Sequence, residues 1–237
     1  MNRFAMMVLK NIFILPGACR KLHRYAKHPE RYSELEMYQH IQYIANRAVK
    51  KGNVTIQATG LDNLPTEDGF LMYGNHQGLF DILAIISTCD RPLGAVLKIE
   101  LKDKPLIRDF IPCTKSFPMD REDVRQSLTV IQNVIKEVSS GRNYLIFPEG
   151  TRSKKSNDLL EFHNGSFRCA VKSKCPVVPV ALVDCYKVLD QKGSKPLTVQ
   201  LHYLKPIPYE EYKDMNTKEL AALVRSRIEE KVQSCLN

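Results

Sequence analysis

"FLMYGNHQGLFDILAIIST" spans residues 70–88, and its reading decides both the fold and the chemistry. Residues 70–74 are an apolar run that reads as a strand, and residues 79–88 read as a helix. Asn75, His76, Gln77 and Gly78 break the pattern between them. Glycine adopts backbone angles that other residues avoid, so Gly78 predicts a turn there. The same rhythm continues on both sides. Strands are predicted at 54–59, 93–98, 143–147, 177–183 and 198–203. A helix over 123–139 carries Val124, Leu128, Ile131, Ile135 and Val138 on one face, and a last helix runs over 217–236. Strands alternating with helices imply an α/β fold with a mixed, mostly parallel sheet flanked by helices. Ligands gather at strand ends in such sheets, and Asn75–His76 and Pro148–Glu149 both follow strands directly.

Residues 1–53 differ in character. The chain carries a net charge of +9, and residues 1–51 supply most of it with Arg3, Lys10, Arg20, Lys21, Arg24, Lys27, Arg31, Arg47, Lys50 and Lys51 against Glu30, Glu34 and Glu36. Such a segment calls for an anionic partner: a membrane surface, nucleic acid or an acidic ligand. The bases sit beside apolar residues, not among stacking aromatics, and no nucleic-acid motif occurs, which argues against nucleic acid. "FAMMVLKNIFILPGAC" (4–19) is interrupted at Lys10–Asn11 and is shorter than the roughly 20 apolar residues of a spanning helix. With its flanking bases it reads as a helix lying in the interface of a membrane rich in anionic lipids. Ser33 and Glu36 have capping-box spacing and open a second amphipathic helix over 33–51. The expected division is a two-helix membrane-associating motif over 1–53 and a larger domain over 54–237.

Seven cysteines show no CxxC pair, an odd count that reads as reduced thiols in a cytosolic setting. The six histidines form no HExxH or Cys/His cluster, so no metal site is expected.

His76 and Asp81 lie five positions apart, which on one regular helix would point them about 140° apart. They meet only if His76 stands in the turn and Asp81 in the first turns of the following helix. Asp81 then holds the imidazole in one tautomer and leaves the other nitrogen free to accept a proton. There is no GxSxG and no nucleophile-like cysteine, so the nucleophile would be a substrate hydroxyl. Taken alone, the pair is a weak signal and reads more readily as a turn with a structural histidine. A second stretch, "FPEGTRS" (147–153), follows the strand at 143–147. Its Gly150 admits close backbone approach, and Arg152 suits phosphate or carboxylate.

Together these stretches resemble the glycerophospholipid acyltransferases, above all the bacterial enzymes that acylate lysophosphatidic acid. Asn75, His76 and Asp81 match the family's Asn-His-x4-Asp motif. Residues 147–153 match its Phe-Pro-Glu-Gly-Thr-Arg-Ser block in full. "FPMDRED" (117–123) resembles the block that carries an arginine, here Arg121. "AVLKIEL" (95–101) resembles the Lys-x-Glu-Leu segment, with Lys98 as its phosphate lysine, and "CPVVPVAL" (175–182) resembles the fourth block. The likeness runs over roughly residues 55–205. Two positions depart from the pattern: His163 stands where lysine is common, and Gly78 where serine is frequent.

The resemblance implies transfer of an acyl chain from acyl-CoA or acyl-carrier-protein to the sn-2 hydroxyl of 1-acylglycerol 3-phosphate, giving phosphatidic acid. Glycerol 3-phosphate or another lysophospholipid is the alternative acceptor. It also implies His76 and Asp81 as the catalytic pair. Asn75, Lys98, Arg121, Glu149, Gly150, Thr151 and Arg152 would bind substrate. Lys98, Arg121 and Arg152 would neutralise the acceptor's phosphate, and Glu149 would contact its hydroxyl or fix the loop. No bound cofactor is expected, and the enzyme would work at the cytoplasmic face of the cell membrane.

Overall fold

In a computed structural model of the chain, residues 2–236 are described. Three helices come first: α1 (Arg3–Leu9), α2 (Leu15–Lys27) and α3 (Glu34–Lys51). The remaining order is β1 (Val54–Thr59), β2 (Leu71–Gly74), α4 (Asp81–Thr88), β3 (Leu93–Lys98), α5 (Ile107–Thr114), β4 (Phe117–Met119), α6 (Val124–Ser139) and β5 (Asn143–Ile146). It continues with α7 (Arg168–Ser173), β6 (Val177–Val183), α8 (Tyr186–Leu189), β7 (Leu197–Tyr203), α9 (Tyr209–Tyr212) and α10 (Thr217–Leu236).

Seven strands form one sheet in the order β1-β7-β6-β2-β5-β3-β4. Every neighbouring pair is parallel except β6 and β7. The central strands β2, β5 and β6 are buried along their whole length, as strands covered on both faces must be. One face packs on α3 and α4 through Met37, Ile41, Phe80, Ile85 and Leu182. The other packs on α6 and α10 through Tyr73, Val134, Tyr144, Val224 and Ile228.

The N-terminal stretch is divided where the sequence interrupts it, so it holds two helices where one was expected. Asn11 is buried. Its side chain donates to the Met7 carbonyl at 2.8 Å and accepts from Arg47 Nε of α3 at 3.0 Å, which fixes the break between α1 and α2. Leu22, Tyr25, Met37, Tyr38 and Ile41 belong to the same apolar cluster as Met72 and Phe80, so these helices share the core of the sheet. Arg3 does not join the basic surface that the charge count assigned it to. It is buried and donates to the carbonyls of Lys187, Val188 and Lys195, the first two at the end of α8. Phe4, Leu9 and Ile12 keep more than half of their surface exposed, and Phe13 is 97% exposed. Among the described residues, no helix is long and apolar enough to cross a membrane.

Candidate active site

β2 ends at Gly74, and the next six residues lead into α4, whose first residue is Asp81. That placement lets the carboxylate fold back beneath the turn. Asp81 Oδ2 accepts from the Gln77 and Gly78 amides at 2.6 and 2.9 Å and meets His76 Nδ1 at 2.7 Å. Asp81 is 0% exposed. Its burial raises the carboxyl above the ordinary 3.8, while the contact with His76 and the two amides oppose that rise. An ionised carboxylate only accepts, so Nδ1 carries the proton and Nε2 keeps its lone pair. The imidazole lies on the Phe147 ring, with centroids 4.2 Å apart and planes at 17°.

Gly78 is present for a different reason than backbone freedom. Its φ is not among the positive ones. A Cβ there would stand 2.9 Å from Asp190 Oδ2 and 3.3 Å from Tyr186 Cα, so the position needs the missing side chain.

The residues after β5 clamp this turn from outside. Glu149 is buried and receives the His76 amide on Oε1 at 2.9 Å and the Leu160 amide on Oε2 at 3.2 Å. Burial raises its carboxyl above the ordinary range, and the amides of His76 and Leu160 act against that. The Ser153 amide donates to the His76 carbonyl at 2.8 Å, so both main-chain groups of His76 are held by 149–153. Both Glu149 oxygens are thus taken by main-chain amides, one of them from the turn that carries His76.

Asn75 also points inward. Its amide donates to the Leu182 carbonyl at 3.0 Å and accepts from the Leu182 amide at 2.8 Å, tying the end of β2 to β6. Gln77 was no candidate in the sequence, yet it accepts from the Cys185 amide at 2.8 Å and donates to Asn157 at 2.8 Å. Asn157 in turn donates to Asp184 at 2.9 Å. Nothing in the linear pattern joins residues 77, 157 and 184, because the three meet only through parallel strand ends.

The cations stand further out. Gly150 sits at φ +71°, and a Cβ there would meet His163 Cδ2 at 2.9 Å and Arg121 Cζ at 3.5 Å. Arg121 and His163 therefore converge on this glycine. Desolvation lowers the Arg121 pKa, and Glu100 opposes that shift. Lys98 ends β3 and pairs with Glu100 at 2.6 Å, both side chains 58% exposed. That lysine, together with Arg121, holds the Glu100 carboxyl below its ordinary value. Arg152 Nη1 pairs with Asp190 Oδ1 at 3.2 Å, just past the end of α8. Thr151 is exposed at the turn.

Behind Arg121, Gly150 and His163 lies a cavity of about 260 Å³, walled mainly by Val96, Val130, Ile131, Val134, Ile146 and Phe147. An apolar recess opening beside a base and a set of cations suits a ligand with a hydrocarbon part and an anionic head. Among the described residues, no group of three or more His, Cys, Asp or Glu could hold a metal ion.

Comparison with known proteins gives this arrangement its context. The family model for acyltransferases matches residues 55–183. The 1-acyl-sn-glycerol-3-phosphate acyltransferase of Borreliella burgdorferi is 25% identical over 183 residues, 76% of this chain and 73% of that protein. The protein of the same name from Escherichia coli is 28% identical over 159 residues, 67% of this chain and 64% of its own length. A chloroplastic Brassica napus protein named 1-acyl-sn-glycerol-3-phosphate acyltransferase BAT2 is 33% identical over 135 residues. That match covers 55% of this chain but 38% of the plant protein, so the chain spans well under two thirds of that relative. In fold, the chain is similar to the crystal structure of the 1-acyl-sn-glycerophosphate (LPA) acyltransferase PlsC from Thermotoga maritima. The TM-score is 0.78 at 20% identity, covering 98% of this chain and 96% of the other. With just over half of its residues under the family model, the chain belongs to the acyltransferase family of enzymes.

Proposed function

We propose that the chain transfers an acyl group from acyl-CoA or acyl-carrier-protein to the sn-2 hydroxyl of 1-acylglycerol 3-phosphate, giving phosphatidic acid. The observation that carries this reading is the 2.7 Å contact between His76 Nδ1 and the fully buried Asp81. It supports His76 Nε2 as a positioned base beside an apolar recess, with no hydroxyl or thiol of the described residues hydrogen-bonded to the imidazole.

Nε2 takes the proton of the acceptor hydroxyl as its oxygen bonds to the thioester carbonyl carbon. A positioned base contributes on the order of 100- to 10,000-fold. Asp81 stabilises the imidazolium that results. The negative charge that develops on the carbonyl oxygen needs donors. The Gly150 amide already donates to the Phe147 carbonyl at 3.1 Å, so the amides of Thr151 and Arg152 are the next candidates. Collapse of the intermediate breaks the C–S bond, and the leaving thiolate takes the proton back from His76.

The apolar cavity would hold an acyl chain, while Arg121, Lys98 and Arg152 would neutralise the phosphate. A neutral acceptor would bring these cations no anion and would forgo that part of the binding. Phe4, Leu9, Ile12 and Phe13, with Arg20, Lys21, Arg24 and Lys27 close in sequence, would rest the enzyme on anionic lipid at the cytoplasmic face of the membrane. The acceptor then need not carry its chain through water.

The test is acyl transfer from labelled acyl-CoA to lysophosphatidic acid beside glycerol 3-phosphate, with wild type and His76→Ala. Product from lysophosphatidic acid alone, absent in the variant, is the expected result. Product from glycerol 3-phosphate alone would move the enzyme to the first acylation step. Transfer surviving in His76→Ala would end the proposed mechanism.

A further inference from the structure

Arg152 is read above as a phosphate ligand, yet in the empty enzyme it already has an anion. Its Nη1 meets Asp190 Oδ1 at 3.2 Å, a single contact that leaves the other guanidinium donors unused by this carboxylate. Two features separate this pair from an incidental surface contact. The first is placement: Asp190 closes α8 and its other oxygen, Oδ2, comes within 2.9 Å of where a Cβ on Gly78 would stand. The carboxylate is thus wedged between the turn that carries His76 and the loop that carries Arg152. The second is that the support is fixed. The buried Arg3 of α1 donates to the Lys187 and Val188 carbonyls of the same short helix.

The contact is nonetheless weak enough to give way. Arg152 is 33% exposed and Asp190 36%. A single exposed ion pair is worth little in water, whereas a phosphate monoester carries nearly two charges and accepts bidentate bonds from arginine. Acceptor and product carry the same phosphate, so a seat without a competitor would hold the product as firmly as the substrate.

From this geometry we infer that Asp190 is an exchangeable counter-anion for Arg152. It holds the guanidinium in the empty site, yields it to the acceptor's phosphate and reclaims it as product leaves. The inference rests on the proposed role of Arg152 in binding that phosphate.

The experiment uses the full chain with labelled acyl-CoA and lysophosphatidic acid in mixed micelles. Wild type, Asp190→Asn, Arg152→Ala and the double variant are compared, with phosphatidic acid as product inhibitor. Asp190→Asn is expected to lower the KM for lysophosphatidic acid by about two- to five-fold, the range an exposed ion pair allows. The inhibition constant of phosphatidic acid should fall by the same factor, and the KM for a neutral monoacylglycerol should stay where it is. In the Arg152→Ala background, Asp190→Asn should have no further effect.

A higher KM in Asp190→Asn would mean that the carboxylate orients Arg152 instead of competing for its ligand, and would overturn the inference. An equal fall without Arg152 would overturn it too, since any nearby negative charge would do the same. An active wild type with an unmoved Asp190→Asn removes this inference alone. A wild type inactive on lysophosphatidic acid removes the functional reading along with it.

Discussion

The site has two halves built in opposite ways. Around His76, the two carboxylates are buried and held by short contacts: Asp81 takes three contacts on Oδ2 while its Oδ1 has no partner, and Glu149 takes one backbone amide on each of its two oxygens. Around the cations, contacts are single, exposed and made to neighbouring carboxylates, Lys98 to Glu100 and Arg152 to Asp190. The difference follows from what each half must do. A base acts only from a narrow range of positions, so its geometry is settled before substrate arrives. A phosphate has to come and go, and weakly held cations can follow it.

The largest expected effect breaks the rigid half at Asp81. Asp81→Asn removes the charge that stabilises the imidazolium and favours the wrong tautomer, so kcat should fall on the order of 10,000-fold. Stability should move the other way. Burial raises the Asp81 carboxyl above its ordinary 3.8, so the folded state holds that proton more tightly than the unfolded chain does. Ionising it therefore costs stability, and the cost grows as pH climbs away from that ordinary value toward neutrality. Asn carries no such cost. Thermal unfolding should show the variant gaining on wild type from acid to neutral pH; a variant that melts lower at neutral pH would mean the carboxylate holds the fold together as well as the imidazole.

Glu149 gives the next effect and separates its two expected roles. Gln can accept only one of the two amides now held, and its NH2 would face the other donor. A buried donor left unpaired costs about 1–3 kcal/mol. Glu149→Gln should therefore melt lower and lose kcat, because the main chain of His76 moves. An unchanged melting point with a raised KM would instead make Glu149 a substrate contact.

Much of this was legible in the chain. The apolar run at 177–183, the helical face of 124–138 and the alternation at 54–59 each name an element, because burial imposes a period on the residues that face the core. The spacing of His76 and Asp81 already required a turn followed by a helix, and Asp81 is indeed the first residue of α4. Legibility stops where contacts depend on strands meeting side by side. The bonds by which Asn75 ties β2 to β6 were not readable, since its partner lies 107 residues away. Gly78 looked like a conformational device and is a matter of room, since Asp190 and Tyr186 reach it from α8. α5 escaped notice because Pro112 lies inside it and masks a helical pattern of only 8 residues.

The smallest effect sharpens the comparison within the loose half. Glu100 and Asp190 both face a cation, but Glu100 stands two residues from Lys98, with both side chains 58% exposed. It borders no part of the turn that carries His76 in the way Asp190 borders Gly78. Water screens such a pair, and the long lysine side chain is free to leave it at little cost. Glu100→Gln should thus lower the KM for lysophosphatidic acid by less than about two-fold, and this shift should vanish as salt is raised. Asp190→Asn should keep more of its larger shift under the same salt, because its pair with Arg152 is about a third exposed against the 58% of Lys98 and Glu100 and is screened less. If the two variants move KM equally, and salt erases both, the two carboxylates are alike and proximity to Gly78 confers nothing. If they separate, the position of an acid against the catalytic turn, and not its charge, decides whether it regulates phosphate exchange.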